Sequence, residues 1–260
     1  MKRTLIVGNW KMNLTTHEAS LLVHRLNERI PVHRTVEVVL APSALVLQPI
    51  SLEIDRRKFR LAAQNAYYKD AGAFTGEISY TMLRELVHYA IIGHSERRIY
   101  FGETLDVVRD KVAACVRNEI VPILCIGETK HERLQGEAQL VIHDQLTTAL
   151  FHLTSEDVEN MVIAYEPVWA IGSGEPAKPD EIAKVIKSIQ NNLRELYGDR
   201  VAASTRILYG GSVEPEFVHS LLSIEGIDGL LVGGASLNYQ KFADIVDAAY
   251  RLGHERPTDG

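Results

Sequence analysis

The sequence predicts a single (β/α)8 barrel. Its 260 residues match the typical length of that fold, about 250 residues. Short apolar segments rich in β-formers alternate with longer amphipathic segments along the chain. The apolar segments are continuous, which is typical of parallel strands buried on both faces. We therefore predict one domain over residues 1–260, with a frayed polar tail at 253–260.

The eight predicted strands are the apolar segments that recur along the whole chain. They are Thr4–Val7, Val36–Leu40, Phe59–Ala63, Tyr89–Ile92, Val121–Ile126, Val162–Tyr165, Arg206–Tyr209 and Gly229–Val232.

Amphipathic helices are predicted in the intervals between the strands. Apolar residues at spacings of three and four mark the clearest ones, His17–Ile30, Thr104–Asn118 and Pro179–Tyr197. Weaker patterns predict Ala44–Ile54, Ser79–Leu86, Glu137–Phe151, Pro215–Leu222 and Phe242–Ala249. Ser43, Thr104 and Pro179 stand where caps or first-turn prolines belong.

Composition and charge exclude several classes of function. With 46% hydrophobic residues, the chain can bury a core without a disulfide or metal. Its net charge of -6 is not typical of a protein that binds nucleic acid or an anionic membrane. The histidines lack metal-ligand spacing, so no metal site is predicted. The alternative fold is a doubly wound open sheet. It would be expected to carry a glycine-rich dinucleotide-binding motif after the first strand, and this chain has none there.

The chain is predicted to be cytoplasmic. It opens on a short strand rather than a signal-peptide core. No apolar run reaches the ~18 residues of a membrane span. Cys115 and Cys125 lie in apolar patterns and are predicted to be buried thiols.

Polar residues after the first and fourth strands are candidates for an active site, because barrel enzymes carry theirs at the carboxyl ends of the strands. Asn9 and Lys11 follow the first strand; a lysine there can bind a phosphate, or simply be a solvated surface residue. His94 follows the fourth strand with Glu96 nearby. It could be an acid, a base or a hydrogen-bond donor, or a satisfied buried histidine.

Glu166 ends the sixth strand and is the candidate base, because a partly desolvated carboxylate is more basic. The segment after it is apolar, contains Trp169 and ends in glycines. Such a segment suits a lid that excludes water, although a loop packed on a neighbour would look similar.

Paired glycines follow the last two strands, Gly210-Gly211-Ser212 and Gly233-Gly234. They let backbone N–H groups approach an anion closely, at the usual phosphate site of such barrels.

These motifs together resemble the triosephosphate isomerases. The resembling stretches are Asn9–Asn13, Ala62–Asn65, Gly72–Ser79, Ile91–Arg98, Cys125–Thr129, Ala164–Gly174, Tyr209–Val213 and Leu231–Gly234. The resemblance implies a cofactor-free isomerase that interconverts dihydroxyacetone phosphate and D-glyceraldehyde 3-phosphate through an enediolate. It would serve glycolysis and gluconeogenesis.

The resemblance also implies the role of each site residue. Glu166 would shuttle a proton between two substrate carbons, and His94, as a neutral imidazole, would act at the carbonyl oxygen; this pairing is the family's own. Asn9 and Lys11 would bind substrate and stabilise negative charge, with Glu96 organising them. The phosphate would be held by backbone N–H groups of Gly172, Ser212, Gly233 and Gly234.

Two loops complete what the resemblance implies. The lid would comprise Pro167, Val168, Trp169, Ala170, Ile171, Gly172, Ser173, Gly174, Glu175 and Pro176. The family more often has threonine at 173 and lysine at 175, and the two flanking prolines predict stiff hinges. Phe74 and Thr75 would dock into a second subunit, which predicts a homodimer.

Two other functions are compatible with parts of this pattern. Another phosphosugar enzyme on the same barrel would share the glycines after the last two strands, but not Lys11, His94 and Glu166 together. A non-catalytic phosphate-binding scaffold would have lost Glu166 or His94, and both are present.

Overall fold

The computed structural model describes residues 2–172 and 177–255 and contains a closed barrel of eight parallel strands in chain order. The strands are β1 (Thr4–Asn9), β2 (Val36–Ala41), β3 (Phe59–Ala63), β4 (Tyr89–Ile92), β5 (Val121–Ile126), β6 (Val162–Tyr165), β7 (Arg206–Tyr209) and β8 (Gly229–Val232). Pairing of β1 with β8 closes the ring, with Leu5 opposite Gly229 and Val7 opposite Leu231. The predicted (β/α)8 barrel is confirmed.

Strands β3 to β8 begin and end at the predicted residues. The first two are longer than predicted, because Gly8 and Asn9 remain extended and pair with Leu40 and Ala41. A Gly-Asn pair resembles a turn in sequence, but here it carries the strand to the edge of the active site.

Twelve α-helices lie among the described residues. They are α1 (Thr16–Arg29), α2 (Ala44–Glu53), α3 (Tyr80–Leu83), α4 (Ser95–Tyr100), α5 (Leu105–Arg117), α6 (Lys130–Leu134), α7 (Ala138–Leu150), α8 (Ser155–Glu159), α9 (Pro179–Tyr197), α10 (Asp199–Ser204), α11 (Val218–Leu222) and α12 (Tyr239–Glu255). Single 3₁₀ turns occupy Val168–Ala170, Pro215–Phe217 and Gly234–Leu237.

The short helices α4, α6, α8 and α10 were not predicted, because five or six residues are too few to show a helical period. Two did carry a readable signal. Thr129 before α6 and Thr154 before α8 each form a capping box with the residue three positions on.

One predicted cap is not formed, and the bounds of several helices differ from the predictions. Ser43 precedes α2 but its side chain makes no capping hydrogen bond. Helix α3 ends at Leu83 rather than continuing to residue 86. Helix α12 runs to Glu255, so the first residues of the segment predicted to fray are helical. Residues 256–260 lie outside the described part of the chain.

Two apolar layers hold the barrel together. One fills its interior with alternate strand residues, among them Leu5, Val39, Ile91 and Leu208. The larger layer lies between the outer faces of the strands and the helices. Cys115 and Cys125 are buried, free thiols as predicted, and burial raises the pKa of both.

A charged cluster lies at the amino-terminal end of the barrel, opposite the candidate active site. The Arg206 guanidinium lies 3.0 Å from the Glu37 carboxylate and donates to the Tyr89 hydroxyl at 2.9 Å. That hydroxyl donates to Glu37 at 2.8 Å. Burial raises the pKa of Glu37, but the hydrogen bonds from Tyr89 and Arg206 outweigh it and leave the pKa below its ordinary value.

We expect Arg206→Met to lower the free energy of unfolding by ~2 kcal/mol at neutral pH, because it leaves a largely buried carboxylate without its cation. A depressed folded-state pKa stabilises the fold above the unfolded-state value, about 4.3 for Glu, and that stabilisation is lost as pH falls through the folded-state pKa. The difference from wild type should therefore shrink in acid. Urea titrations at fixed protein concentration measure it.

The matched control is Arg194→Met, since Arg194 pairs with Asp199 at 2.7 Å on the surface and exposed pairs contribute little. A deficit in Arg206→Met that is no larger than this control, or that persists unchanged in acid, would contradict the assignment.

Candidate active site

Glu166 lies immediately beyond β6, and its backbone is fixed by the sheet. Its N–H donates to the Ile126 carbonyl at 2.7 Å, extending the pairing of β6 with β5 by one residue. Gly127 on β5's extension permits this, because a Cβ there would lie 1.8 Å from the Glu166 carbonyl oxygen. The position of the carboxylate is therefore set by a backbone that cannot shift toward Gly127.

The Glu166 carboxylate is completely buried and points at the end of β4. One oxygen, Oε2, accepts from the Ser95 N–H at 2.9 Å, and Oε1 lies 2.9 Å from His94 Nε2. Burial raises the pKa of this carboxyl, but His94, the Arg98 guanidinium and the Ser95 N–H outweigh it, and the pKa lies below its ordinary value. The group is therefore a carboxylate at neutral pH, as a base must be.

His94 is the residue that caps α4. Its Nδ1 accepts the Glu96 N–H at 3.3 Å, so in the neutral imidazole the proton sits on Nε2. That nitrogen is directed toward Glu166, and His94 also lines the central cavity. Because His94 lines the cavity, a neutral imidazole there can donate to an oxygen of a bound ligand.

Lys11 and Asn9 are brought beside His94 by β1. Lys11 has a left-handed backbone, φ 54°, and its N–H donates to Asn9 Oδ1 at 3.1 Å. The Lys11 ammonium lies 2.6 Å from the Glu96 carboxylate, which ties the loop after β1 to α4. The structure thus brings Asn9, Lys11, His94 and Glu96 together, and the Glu96 carboxylate holds the Lys11 ammonium in place.

A cavity of about 240 Å³ opens at the carboxyl ends of the strands. Its lining includes seven of the predicted site residues, namely Asn9, Lys11, His94, Gly172, Ser212, Gly233 and Gly234. Glu166 and Glu96 do not line it. The Glu166 carboxylate instead contacts His94 and the Ser95 N–H.

The predicted phosphate end of the cavity is built from three loops. Gly172 comes from the lid, Ser212 from the loop after β7, and Gly233 and Gly234 from the loop after β8. Ser212 Oγ donates to the Ala170 carbonyl at 2.8 Å. This bond joins the lid to the loop after β7.

The described part of the predicted lid, Pro167 to Gly172, contacts its neighbours closely. Trp169 Nε1 donates to the buried Glu128 carboxylate at 2.8 Å. On the far side of the lid, the Ala177 N–H donates to the Tyr209 hydroxyl at 3.0 Å. The predicted lid residues Ser173, Gly174, Glu175 and Pro176 lie outside the described residues.

Three residues support this site that the sequence did not single out. Arg98 donates to the carbonyls of Gly93 and Cys125, at 2.9 and 2.8 Å, which joins the ends of β4 and β5. Gln64 donates to the carbonyls of Lys11 and Ala41 at 2.9 and 2.8 Å. Glu128 holds Trp169. In the sequence, these three residues could have been found from their positions inside the motifs 62–65, 91–98 and 125–129, which resemble the family.

Phe74 and Thr75 lie away from the cavity, in the loop between β3 and α3. The Phe74 ring is 40% exposed and packs against Tyr67, with centroids 4.7 Å apart. Within 2–172 and 177–255, no group of side chains could hold a metal ion. Over the same residues, no helix is long and apolar enough to span a membrane.

Comparison with known proteins agrees with the geometry. The family model described as triosephosphate isomerase matches residues 4–249. Proteins named triosephosphate isomerase from Clostridium tetani and Lactiplantibacillus plantarum are 44% and 43% identical, each over 95% of this chain and 97% and 98% of their own length. One from Caldanaerobacter subterraneus is 44% identical over 95% of this chain and 100% of its own. The chain belongs to the triosephosphate isomerase family.

Proposed function

We propose that Glu166 and His94 carry out the proton transfers by which this chain interconverts dihydroxyacetone phosphate and D-glyceraldehyde 3-phosphate. The observation that carries the proposal is the 2.9 Å approach of His94 Nε2 to a fully buried Glu166 carboxylate, beside a cavity lined by Lys11 and the paired glycines.

In this mechanism Glu166 is the base. Its carboxylate leaves the Ser95 N–H and takes a proton from the substrate carbon next to the carbonyl. The electron pair of that C–H bond forms the enediolate, with charge developing on the carbonyl oxygen. The hydroxyl proton on the first carbon's oxygen passes by way of His94 Nε2 to the former carbonyl oxygen. Glu166 then returns its proton to the neighbouring carbon, so that hydrogen and electrons balance without an external oxidant or cofactor.

His94 and Lys11 stabilise the charge that develops on oxygen. The Nε2–H of neutral His94 donates to the substrate oxygen, and the Lys11 ammonium supplies positive charge from the same wall of the cavity. Asn9 and Glu96 hold Lys11 in place through contacts of 3.1 and 2.6 Å. Because the whole chain carries a charge of -6, this local cation matters for an anionic substrate.

The phosphate group binds the backbone N–H groups of Gly172, Ser212, Gly233 and Gly234. Oriented N–H groups attract an anion without the cost of reorganising side chains. The segment from Pro167 to Pro176 covers the substrate and excludes water from the enediolate, which otherwise loses phosphate.

A coupled isomerase assay in both directions tests the activity. Turnover of triose phosphates, without added metal or cofactor, is the expected result. Phosphate-sugar binding without turnover would support the scaffold alternative instead.

We also propose that the chain forms a homodimer through the loop that contains Phe74 and Thr75. Phe74 and Met82, 40% and 65% exposed, line one surface cavity. Next to it is a second cavity of about 220 Å³, which is lined by Met12 and Asn65 among others. Met12 directly follows Lys11 in the sequence. Apolar surface of this kind favours association, and the second cavity offers a socket for the Phe74 loop of another copy.

Light scattering should give twice the 29.1 kDa chain mass, and Phe74→Asp should give a monomer with lower activity, because the socket beside Lys11 is then empty. Phe151→Asp is the matched control, since Phe151 is 75% exposed at the end of α7, and it should remain dimeric. A fully active wild-type monomer would refute the proposal.

We also propose a cytoplasmic location. The two free, buried thiols are consistent with a reducing compartment, where disulfides are rare.

A further inference from the structure

Arg133 on α6 contacts the first half of the lid and the helix that follows it. Its guanidinium carbon lies 4.2 Å from the ring centroid of Trp169, in the first half of the lid. On the other side, its Nη2 donates to Glu181 Oε1 at 2.6 Å. Glu181 lies in the first turn of α9, the helix that follows the lid.

The same guanidinium faces a buried charge. Glu128 is completely buried, and its Oε1 accepts from Trp169 Nε1 at 2.8 Å and from the Tyr165 hydroxyl at 3.2 Å. Arg133 Nη1 lies 4.0 Å from that oxygen, and no other cation comes so close to Glu128 in the part of the chain that the structure describes. Trp169 is thus held at its N–H by Glu128 and on its ring face by Arg133.

We propose that Arg133 is a positioning residue that joins the first half of the lid to α9 and sets the placement of Trp169, and so the closure of the lid over the substrate. The inference rests on the lid role proposed above. It extends that role to a side chain outside the lid.

The chemistry of the contact requires arginine. A guanidinium can stack its flat face on an indole while its edge donates to a carboxylate. A lysine ammonium supplies the charge but neither the planar stack nor the fork. Arg133→Lys therefore separates the positioning contact from the charge that Glu128 needs, and Glu181→Gln weakens the link to α9 while leaving the stack intact.

Two readouts test the inference independently. The first is inorganic phosphate released per isomerisation event, which rises when the enediolate meets water. The second is acrylamide quenching of tryptophan fluorescence. The chain has two tryptophans, and Trp10 is completely buried whereas Trp169 is half-buried, so the quenchable signal reports Trp169.

We expect Arg133→Met to lower kcat about five-fold, the value of one cation–π contact at a partly exposed site, with KM changed less. The phosphate ratio and the quenching constant should both rise. Arg133→Lys should reproduce most of these changes, and Glu181→Gln a smaller part. Arg194 also pairs with a carboxylate, that of Asp199, but it lies in the last turn of α9, away from the end that follows the lid. Arg194→Met should therefore change none of these quantities.

If Arg133→Met does not fold because Glu128 is left without its cation, Arg133→Lys and Glu181→Gln still decide the matter. An unchanged phosphate ratio or unchanged quenching in Arg133→Lys would overturn the inference. Failure of the proposed function would look different, because the wild-type chain itself would then show no isomerisation, whereas quenching would still report on Trp169.

Discussion

Glu166→Asp should lower kcat by ~10²-fold while KM changes only a few-fold, since misplacing a reacting group by about one methylene can cost that much. The backbone cannot compensate for the shorter side chain. It is fixed by the 2.7 Å bond to the Ile126 carbonyl and by its contact with Gly127. The substrate's phosphate contacts are untouched, so binding should persist. Steady-state kinetics in both directions give the two constants.

Glu166→Gln is the companion variant, because it keeps the length of the side chain and removes the base. It should be less active than Glu166→Asp, which still carries a carboxylate. Wild-type turnover in Glu166→Asp, or an active Glu166→Gln, would show that another group abstracts the proton.

The strands could be predicted almost to the residue because their signal is local. A parallel strand inside a barrel is apolar on both faces, so a segment such as Val121–Ile126 stands out between polar neighbours. The short helices give no such signal. Helix α4 contains the sequence Ser-Glu-Arg-Arg-Ile-Tyr, with too few apolar residues to define a face, and the sheet and loops around it determine its conformation.

The site was predictable as a set of residues, because every strand of a parallel barrel ends at the same rim. What the sequence could not give was the direction of the side chains. Glu166 points at His94 and Ser95 rather than into the cavity, where the Ser95 N–H and the Arg98 guanidinium compensate its burial. Contacts that act through backbone carbonyls, as those of Arg98 and Gln64 do, likewise depend on the fold.

The Glu166 arrangement also constrains the mechanism. The contacts that lower the pKa of Glu166 keep it ionised but also oppose proton abstraction, because a more acidic carboxyl is a weaker base. In the proposed mechanism, rotation away from the Ser95 N–H beneath a closed lid removes one of those contacts, and the closed lid keeps water from replacing it. The base would then be strongest when substrate is bound, which links lid closure to the chemical step.

His94→Ala should lower kcat by ~10²–10³-fold, the usual cost of removing one donor to a developing oxyanion. Nδ1 of His94 accepts the Glu96 N–H, so the neutral ring has its donor on the other nitrogen, which the alanine variant lacks. The variant also loses the cap of α4, which costs about 1 kcal/mol of stability, so thermal unfolding should be followed beside the kinetics. His94→Gln returns a donor of similar reach and should recover part of the rate. A folded His94→Ala protein with near wild-type kcat would assign the electrophile to Lys11 alone, since that ammonium is the cation that lines the same cavity.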